Sequence, residues 1–301
     1  MGNKYVVLFQ RICFFAAFLF IAVFMIRNLQ DIRMVLNNLD MRYVLLSLLL
    51  TSLVVLVSTV QFQTILKANG ITVPFWLLFR QRAQSNLLNY IPGGVWSHAN
   101  LALSLSQSYT LSVKTLSKLT AVFMASVVIT GMLFGIFFLP YPLQLAALVL
   151  VGIGFASLNF WIYVANALWK KLFPRFTMKL VPLSVATRSF LLITGLISWL
   201  LTAGAFSAFM HAAYPHLSPE RLFYTGSAYI VAWVIGLLAL PFPSGIGIRE
   251  GVMGYLLASV GVPVVHAIAI SLVFRIVILV RDIIFFAMVW QRGARDTSTT
   301  P

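Results

Sequence analysis

Charged residues are scarce in this sequence, and acidic residues are the scarcest. Only 9% of the 301 residues are charged and 61% are hydrophobic, whereas a soluble globular protein has about 25% charged residues. Lys and Arg number 21 against six Asp and Glu. This composition excludes a soluble domain as the main part of the chain, and it leaves too few carboxylates for general acid–base catalysis. We therefore predict a membrane protein that is not an enzyme.

Cysteine and clustered histidine are also nearly absent. Cys13 is the single cysteine, so one chain can form neither a disulfide nor a cysteine-based metal site. The four histidines, at positions 98, 211, 216 and 266, are scattered without the spacing of metal ligands. We expect neither a metal nor a cofactor.

Long apolar runs dominate what is present. A helix needs about 20 mostly apolar residues to cross the hydrocarbon layer, and the runs that approach or exceed this length cover residues 12–26, 43–66, 119–139, 143–169, 189–210, 222–248 and 251–290. They predict an all-α, polytopic helix bundle with seven or eight spans. Arg27 and Asn28 directly follow the first run without a cleavage site, so we interpret that run as a retained anchor rather than a signal peptide.

The distribution of basic residues predicts an orientation. The loop from Lys170 to Arg188 holds the densest group of Lys and Arg and is expected to be cytoplasmic, as is the N-terminus, whereas the uncharged connection at residues 140–142 should face outward. We interpret the formal charge of +15 as this asymmetry and expect no nucleic-acid partner. One transmembrane domain is predicted over residues 1–291, with halves of about 1–142 and 143–291 and a polar tail at 292–301.

Two Pro-Gly-rich segments interrupt apolar helices about half a chain apart. One contains Pro92-Gly93-Gly94, and the other runs from Leu240 to Gly251. Backbone groups freed by such breaks must find partners in protein or trapped water, and paired breaks mark the midplane site of many transporters. We predict two re-entrant or broken helices in a pseudo-repeat. The alternative is a pair of ordinary loops between short spans.

Polar residues at helical spacing flank the first break. Before it, one face of a helix would carry Arg82, Asn86, Asn89 and Tyr90, and after it one face would carry Ser97, Asn100, Ser104, Gln107 and Ser108. These stripes favour a polar groove, although an amphipathic helix pair on the membrane surface would show them too. The spacings Gly131-x-x-x-Gly135 and Gly247-x-x-x-Gly251 are interpreted as close helix packing.

Arg275 lies in an otherwise uncharged stretch between Pro263 and Arg281, near its middle. An arginine at bilayer depth costs at least about 2.5 kcal/mol on insertion scales, so it normally faces a bundle interior or a water-filled cavity. Arg275 is thus a candidate ligand-binding residue, with a structural ion pair to Glu250 or Asp282 as the alternative. Arg249 is adjacent to Glu250 in the sequence, so the same two interpretations, ligand binding or a structural ion pair, apply to it.

Three stretches, residues 89–96, 243–251 and 267–275, resemble the lysylphosphatidylglycerol synthase transmembrane-region family, and the likeness extends from about Lys67 onward. The family pattern includes the Pro-Gly-Gly break, the Gly-x-Gly-x-Arg-Glu stretch and the Arg of the last span; Ser244 stands where a Gly is common. The resemblance implies lipid handling in a bacterial inner membrane. Because the sequence ends at Pro301, it predicts a stand-alone member without the aminoacyl-transferase domain of the synthase/flippase proteins.

These observations lead to the hypothesis of a flippase-like lipid translocator, whose headgroup site is built from Arg side chains and Gly-rich helix breaks. The candidate substrate-binding residues are Arg80, Arg82, Asn86, Asn89, Tyr90, Pro92, Gly93, Gly94, Trp96, Ser244, Gly245, Gly247, Arg249, Glu250 and Arg275. The substrate is an anionic phospholipid, an aminoacylated one or a polyprenyl-phosphate-linked sugar. The alternative is a non-transporting partner that organises a glycosyltransferase or lipid-synthesis complex. Membrane lipids are the expected partners, with a membrane protein or a second copy of the chain as further candidates.

Overall fold

The structure is a computed structural model in which every regular element of the described residues is a helix. It describes residues 29–37, 39–90, 96–109, 112–136, 182–239, 245 and 247–297, with scattered positions before residue 29 and between 144 and 163. The all-α prediction is confirmed for this part of the chain.

We number the helices in chain order. They are α1 (Leu29–Asn37), α2 (Met41–Ala68), α3 (Phe75–Asn86), α4 (Trp96–Tyr109), α5 (Val113–Gly135), α6 (Val185–Ala213), α7 (Pro219–Leu238), α8 (Ile248–Ala258) and α9 (Val264–Thr297), and a 3-10 turn (Leu87–Tyr90) follows α3.

Four helices in the described part are long and apolar enough to cross a membrane, namely α2, α5, α6 and α7. They coincide with four of the predicted runs and confirm a multi-pass membrane protein. The run at 251–290 forms two helices, α8 and α9, with a left-handed Gly261 (φ 85°) in the connection between them. The runs at 12–26 and 143–169 and the basic loop lie largely outside the described residues, so the span count stays a prediction.

The chain divides into two compact units. Unit 1 comprises residues 1–54, 83–97 and 200–301, and unit 2 comprises residues 55–82 and 98–199. The segments that contain both helix breaks, together with all of α7, α8 and α9, belong to unit 1. The candidate residues are therefore spread unequally over the two units, with most of them in unit 1.

An aromatic cluster joins three helices at the centre of unit 1. The ring of Tyr229 on α7 stacks on Phe206 of α6 with centroids 4.7 Å apart, and it meets the edge of Phe274 on α9 at 4.9 Å. Phe206 and Tyr229 are almost completely buried, as is Phe274. Aromatic pairs at these separations add to the stability given by burial alone, so the cluster fixes α9 against α6 and α7.

Unit 2 has its own apolar core and polar links between its helices. Phe62 of α2, Leu78 of α3 and Leu116 of α5 are fully buried in the same cluster. The indole N–H of Trp199 on α6 donates to the carbonyl oxygen of Val127 on α5 at 3.0 Å. Each membrane-embedded donor needs such a partner, because hydrocarbon offers none.

Glycine allows a close contact between α6 and α7 in unit 1. A Cβ atom on Gly226 of α7 would lie 2.6 Å from the carbonyl oxygen of Ala203 on α6, and the Ser207 hydroxyl donates to the Leu222 carbonyl oxygen across the same interface at 2.7 Å. The packing interpretation of Gly247-x-x-x-Gly251 is wrong at its second position, because a Cβ on Gly251 would meet nothing within 4 Å.

Gly226→Ala is expected to destabilise the protein by about 1–3 kcal/mol, the usual cost of overpacking, because the added methyl group meets backbone rather than a movable side chain. The matched control is Gly204→Ala on α6, whose Cβ would make an ordinary 3.6 Å contact with Leu50. Thermal unfolding in detergent measures both. Equal shifts for the two variants would contradict the close contact.

Candidate functional site

The second break begins with a backbone contact that requires glycine. Gly245 has a left-handed φ of 65°, and a Cβ atom there would lie 2.6 Å from both Cα and the carbonyl oxygen of Gly236 on α7. Gly247, with φ 86°, is the N-cap of α8. Non-glycine residues are strained at such dihedrals. The paired glycines therefore place the N-terminus of α8 against α7.

Glu250 connects this break to the last helix. Its side chain is fully buried. Oε2 accepts a hydrogen bond from the Gly247 N–H at 2.7 Å, the backward half of a capping box. Oε1 lies 3.0 Å from Nη2 of Arg275 on α9. One carboxylate thus stabilises both the helix start and the buried guanidinium.

Arg249 precedes Glu250 and is held by aromatic rings. Its guanidinium lies over Tyr229 at 5.4 Å and over Trp233 at 5.8 Å from the ring centroids, and the residue is only 9% exposed. Cation–π contacts of this kind strengthen as water is removed. They hold the guanidinium of Arg249 against α7.

The ion pairs of α9 answer one question that the sequence left open. Asp282 is paired with its neighbour Arg281 at 2.7 Å, and Arg281 also donates to the Thr51 carbonyl oxygen of α2 at 3.2 Å. The ion-pair partner of Arg275 is Glu250. The structural pair considered for Arg275 therefore exists, and its partner is Glu250.

The first break starts beside the same helix. The 3-10 turn Leu87–Tyr90, which ends α3, contacts α9. Asn89 and Tyr90 belong to this turn, and Trp96 is the first residue of α4. Pro92, Gly93, Gly94 and Ser244 lie outside the described residues. In unit 1, then, α9 contacts the start of one break and the helix that follows the other.

The remaining candidates lie on α3. Arg80 and Asn86 are half-buried there, while Arg82 belongs to unit 2 and donates to the Ser58 carbonyl oxygen of α2 at 3.1 Å. On α4 the predicted stripe runs from a buried Ser97 to an exposed Gln107. The structure assigns these residues to α3 and α4 as expected, but it separates Arg82 by unit from the α8 and α9 residues.

Sequence reasoning missed three contributors to the site, namely Tyr229, Trp233 and Gly236. Tyr229 and Trp233 stand four residues apart on α7, a spacing that predicts one face, but nothing in the sequence pairs them with Arg249. Gly236 has no local signal for its contact with Gly245. Ser271, one turn before Arg275, is fully buried, and its hydroxyl has no hydrogen-bond partner among the described residues.

These features define a class, that of multi-pass helical membrane proteins with buried guanidinium groups beside an interrupted helix. The sequence model of the lysylphosphatidylglycerol synthase TM region matches residues 8–285, and the chain belongs to this family. The resemblance found in the motifs is thereby confirmed. Among curated proteins, the comparison finds no match.

A double-mutant cycle will test the Glu250–Arg275 pair. Glu250→Gln and Arg275→Gln are each expected to cost about 3–5 kcal/mol, because each leaves one charge buried without its partner. Gln keeps an oxygen that can still accept from the Gly247 N–H. The double variant should lose much less than the sum of the two, as measured by unfolding in detergent.

The control cycle combines Arg275→Gln with Asp282→Asn. These two effects should add to within about 0.5 kcal/mol, because Asp282 is paired with Arg281. Coupling of Arg275 to Asp282 equal to its coupling to Glu250 would mean that the pairing described above is wrong.

Proposed function

We propose that the protein is a lipid translocator that carries an anionic phospholipid or a polyprenyl-phosphate-linked lipid across the membrane. Membership of the family supports an association with lipid handling. The translocated headgroup would occupy the region between α7, α8 and α9 of unit 1, while its tails stay in the surrounding hydrocarbon. The proposal involves no covalent chemistry by this chain.

The observation that carries the proposal is a partly accessible guanidinium, that of Arg275, which a fully buried carboxylate holds in place. Arg249 precedes that carboxylate, Glu250, in the sequence, so two guanidinium groups and one carboxylate lie together at the start of α8. Arginine side chains at bilayer depth normally face a bundle interior or a water-filled cavity. A lipid phosphate is the anion that such a group of guanidinium donors would bind.

The geometry suits a phosphate group. A guanidinium presents several N–H donors in one plane and can bind phosphate oxygens in pairs. Arg275 has 20% of its side chain accessible, whereas its partner Glu250 has none, so the accessible part of the pair is positive. The buried Ser271 hydroxyl one turn away offers a further neutral donor.

The surface beside the site suits lipid tails. Ile276 and Val280 follow Arg275 on α9 and are exposed, and Tyr255 of α8 is exposed as well. Large apolar side chains on the outside of a membrane-spanning bundle face acyl chains, since these are as apolar as the side chains themselves. Arg275 therefore lies within one or two turns of a surface that tails could occupy.

No step of this proposal needs nucleotide hydrolysis by the chain. The lipid gradient or an ion gradient would drive net movement, and a bacterial inner membrane with the N-terminus in the cytoplasm is the location that the basic residues favour. A non-transporting partner or scaffold of a lipid-synthesis or glycosyltransferase complex would not depend on buried cations in this way. This difference decides how the proposal is tested.

Purified protein in liposomes should exchange a fluorescent phosphatidylglycerol or polyprenyl phosphate between leaflets without ATP, and a phosphatidylcholine probe more slowly. Quenching from outside measures the exchange. Arg249→Ala is expected to lower the rate by at least about tenfold, because it removes a charge-assisted contact. Arg42→Ala, which removes an exposed arginine at the start of α2, is the matched control and should not change the rate.

Equal exchange in empty and protein-containing liposomes, for both anionic probes and with an imposed pH or sodium gradient, would reject translocation. The partner-scaffold reading would then be preferred. Equal loss of activity in Arg249→Ala and Arg42→Ala would instead point to a general surface-charge effect and remove the argument from the buried cluster.

The breaks are expected to lie at membrane depth. In a Cys13→Ala background, Gly94→Cys and Gly251→Cys should react slowly with a membrane-impermeant thiol reagent applied to both faces. Gly251 is suitable because a Cβ there would meet nothing within 4 Å. His216→Cys, in the exposed connection between α6 and α7, provides the fast reference. Rates matching this reference at both positions would mean that the breaks are ordinary loops.

A further inference from the structure

All acidic residues lie either before residue 41 or after residue 219. They are Asp31, Asp40, Glu220, Glu250, Asp282 and Asp296. The 179 residues between Asp40 and Glu220 therefore contain no carboxylate side chain, as the sequence shows directly. Unit 2 lies wholly inside this interval. A cation in unit 2 consequently has no carboxylate of its own unit with which to pair.

Arg82 is the cation for which this matters most. Its Nη1 donates to the Ser58 carbonyl oxygen and its Nη2 to the Ser58 hydroxyl oxygen, both at 3.1 Å. The Ser58 hydroxyl donates in turn to the Val55 carbonyl oxygen at 3.0 Å, so its lone pair is directed to Arg82. The ring of Phe123 lies 5.0 Å from the guanidinium carbon.

These contacts orient the guanidinium, and within the described part of the chain none of them brings a carboxylate to it. A carbonyl, a hydroxyl and an aromatic ring supply dipoles and a quadrupole, and none of them carries a negative charge. A guanidinium has five N–H donors, and the Nε–H of Arg82 is buried without a hydrogen-bond partner among the described residues. The side chain is thus fixed in position with donors still to satisfy.

We infer that Arg82 forms a second anion site, in unit 2, that binds a phosphate group. The protein then holds two anions per chain, one at Arg82 and one at the Arg249–Arg275 cluster of unit 1. The inference rests on the proposed function in counting one lipid at the unit 1 cluster and in taking a lipid headgroup as one source of the phosphate at Arg82; free phosphate is the other source. Ser58 is a positioning residue, since it contacts Arg82 and acts on the anion through it.

The stoichiometry of bound lipid tests this inference. Native mass spectrometry of the full chain in detergent with phosphatidylglycerol should show two tightly retained lipids for wild type and one for Arg82→Gln. Arg249→Gln should also retain one, which reports on the unit 1 cluster separately. Lys67→Gln removes an exposed charge from α2, the helix that carries Ser58, and as the matched control should retain two.

A second arm separates the two sources of phosphate. Thermal unfolding is followed in phosphatidylcholine-containing detergent with inorganic phosphate alone. If inorganic phosphate raises the unfolding temperature of wild type but not of Arg82→Gln, the site binds free phosphate. If inorganic phosphate has no such effect but Arg82→Gln retains one phosphatidylglycerol fewer than wild type, the site binds a lipid headgroup. Both results support an anion site at Arg82, and they remain interpretable even if no lipid exchange is found.

Ser58→Ala and Arg82→Lys keep the charge and guard against a variant that fails to fold. Ser58→Ala should weaken the second anion by about threefold to tenfold, the effect of one net hydrogen bond, and Arg82→Lys should weaken it further because the planar donor set is lost. Two retained lipids and unchanged phosphate stabilisation in a folded Arg82→Gln would overturn the inference. The inference would also be overturned if both Arg82 variants misfold while Ser58→Ala binds the second anion as wild type does. That result would mean that Arg82 serves the fold and not an anion.

Discussion

The geometry of the site depends on the two oxygens of a single buried carboxylate. Oε2 of Glu250 satisfies the Gly247 N–H at the start of α8, and Oε1 meets Arg275 of α9. A helix whose start is buried must satisfy its first N–H groups within the protein, and a buried guanidinium needs hydrogen-bond or charged partners. Glu250 meets both requirements at once, which couples the position of the break to that of the last helix.

Glycine makes this coupling sterically feasible. A Cβ on Gly245 would lie 2.6 Å from backbone atoms of Gly236, whereas a Cβ on Gly236 would make only ordinary contacts. The absence of a side chain at Gly245 therefore allows the first turn of α8 to approach the aromatic face of α7. Arg249 lies in this first turn of α8, and its guanidinium therefore contacts the rings of Tyr229 and Trp233. The same short break thus produces the backbone contact of Gly245, the N-cap at Gly247 and the cation–π contacts of Arg249.

Local features could be predicted from the sequence, and long-range partners could not. The all-helical fold, four of the spans and the interruption after Leu238 follow from composition, run length and the chemistry of Pro and Gly. No sequence feature decides between Glu250 and Asp282 as the partner of Arg275, since Arg275 could reach either residue along its own helix or across to another. The Gly236 contact depends equally on tertiary packing. At Gly251 the sequence instead predicts a contact that is absent from the described residues, because the Gly247-x-x-x-Gly251 spacing is interpreted as helix packing.

A translocator must release what it binds, and the charges of the proposed site suit that requirement. Glu250 orients Arg275 and offsets part of the positive charge beside it, so its removal would be expected to strengthen the attraction for an anionic headgroup. Binding sites in conduction pathways must be favourable enough for entry and weak enough for exit. In the proposed translocator Glu250 would therefore serve turnover as well as folding, because it would limit how tightly the headgroup is held.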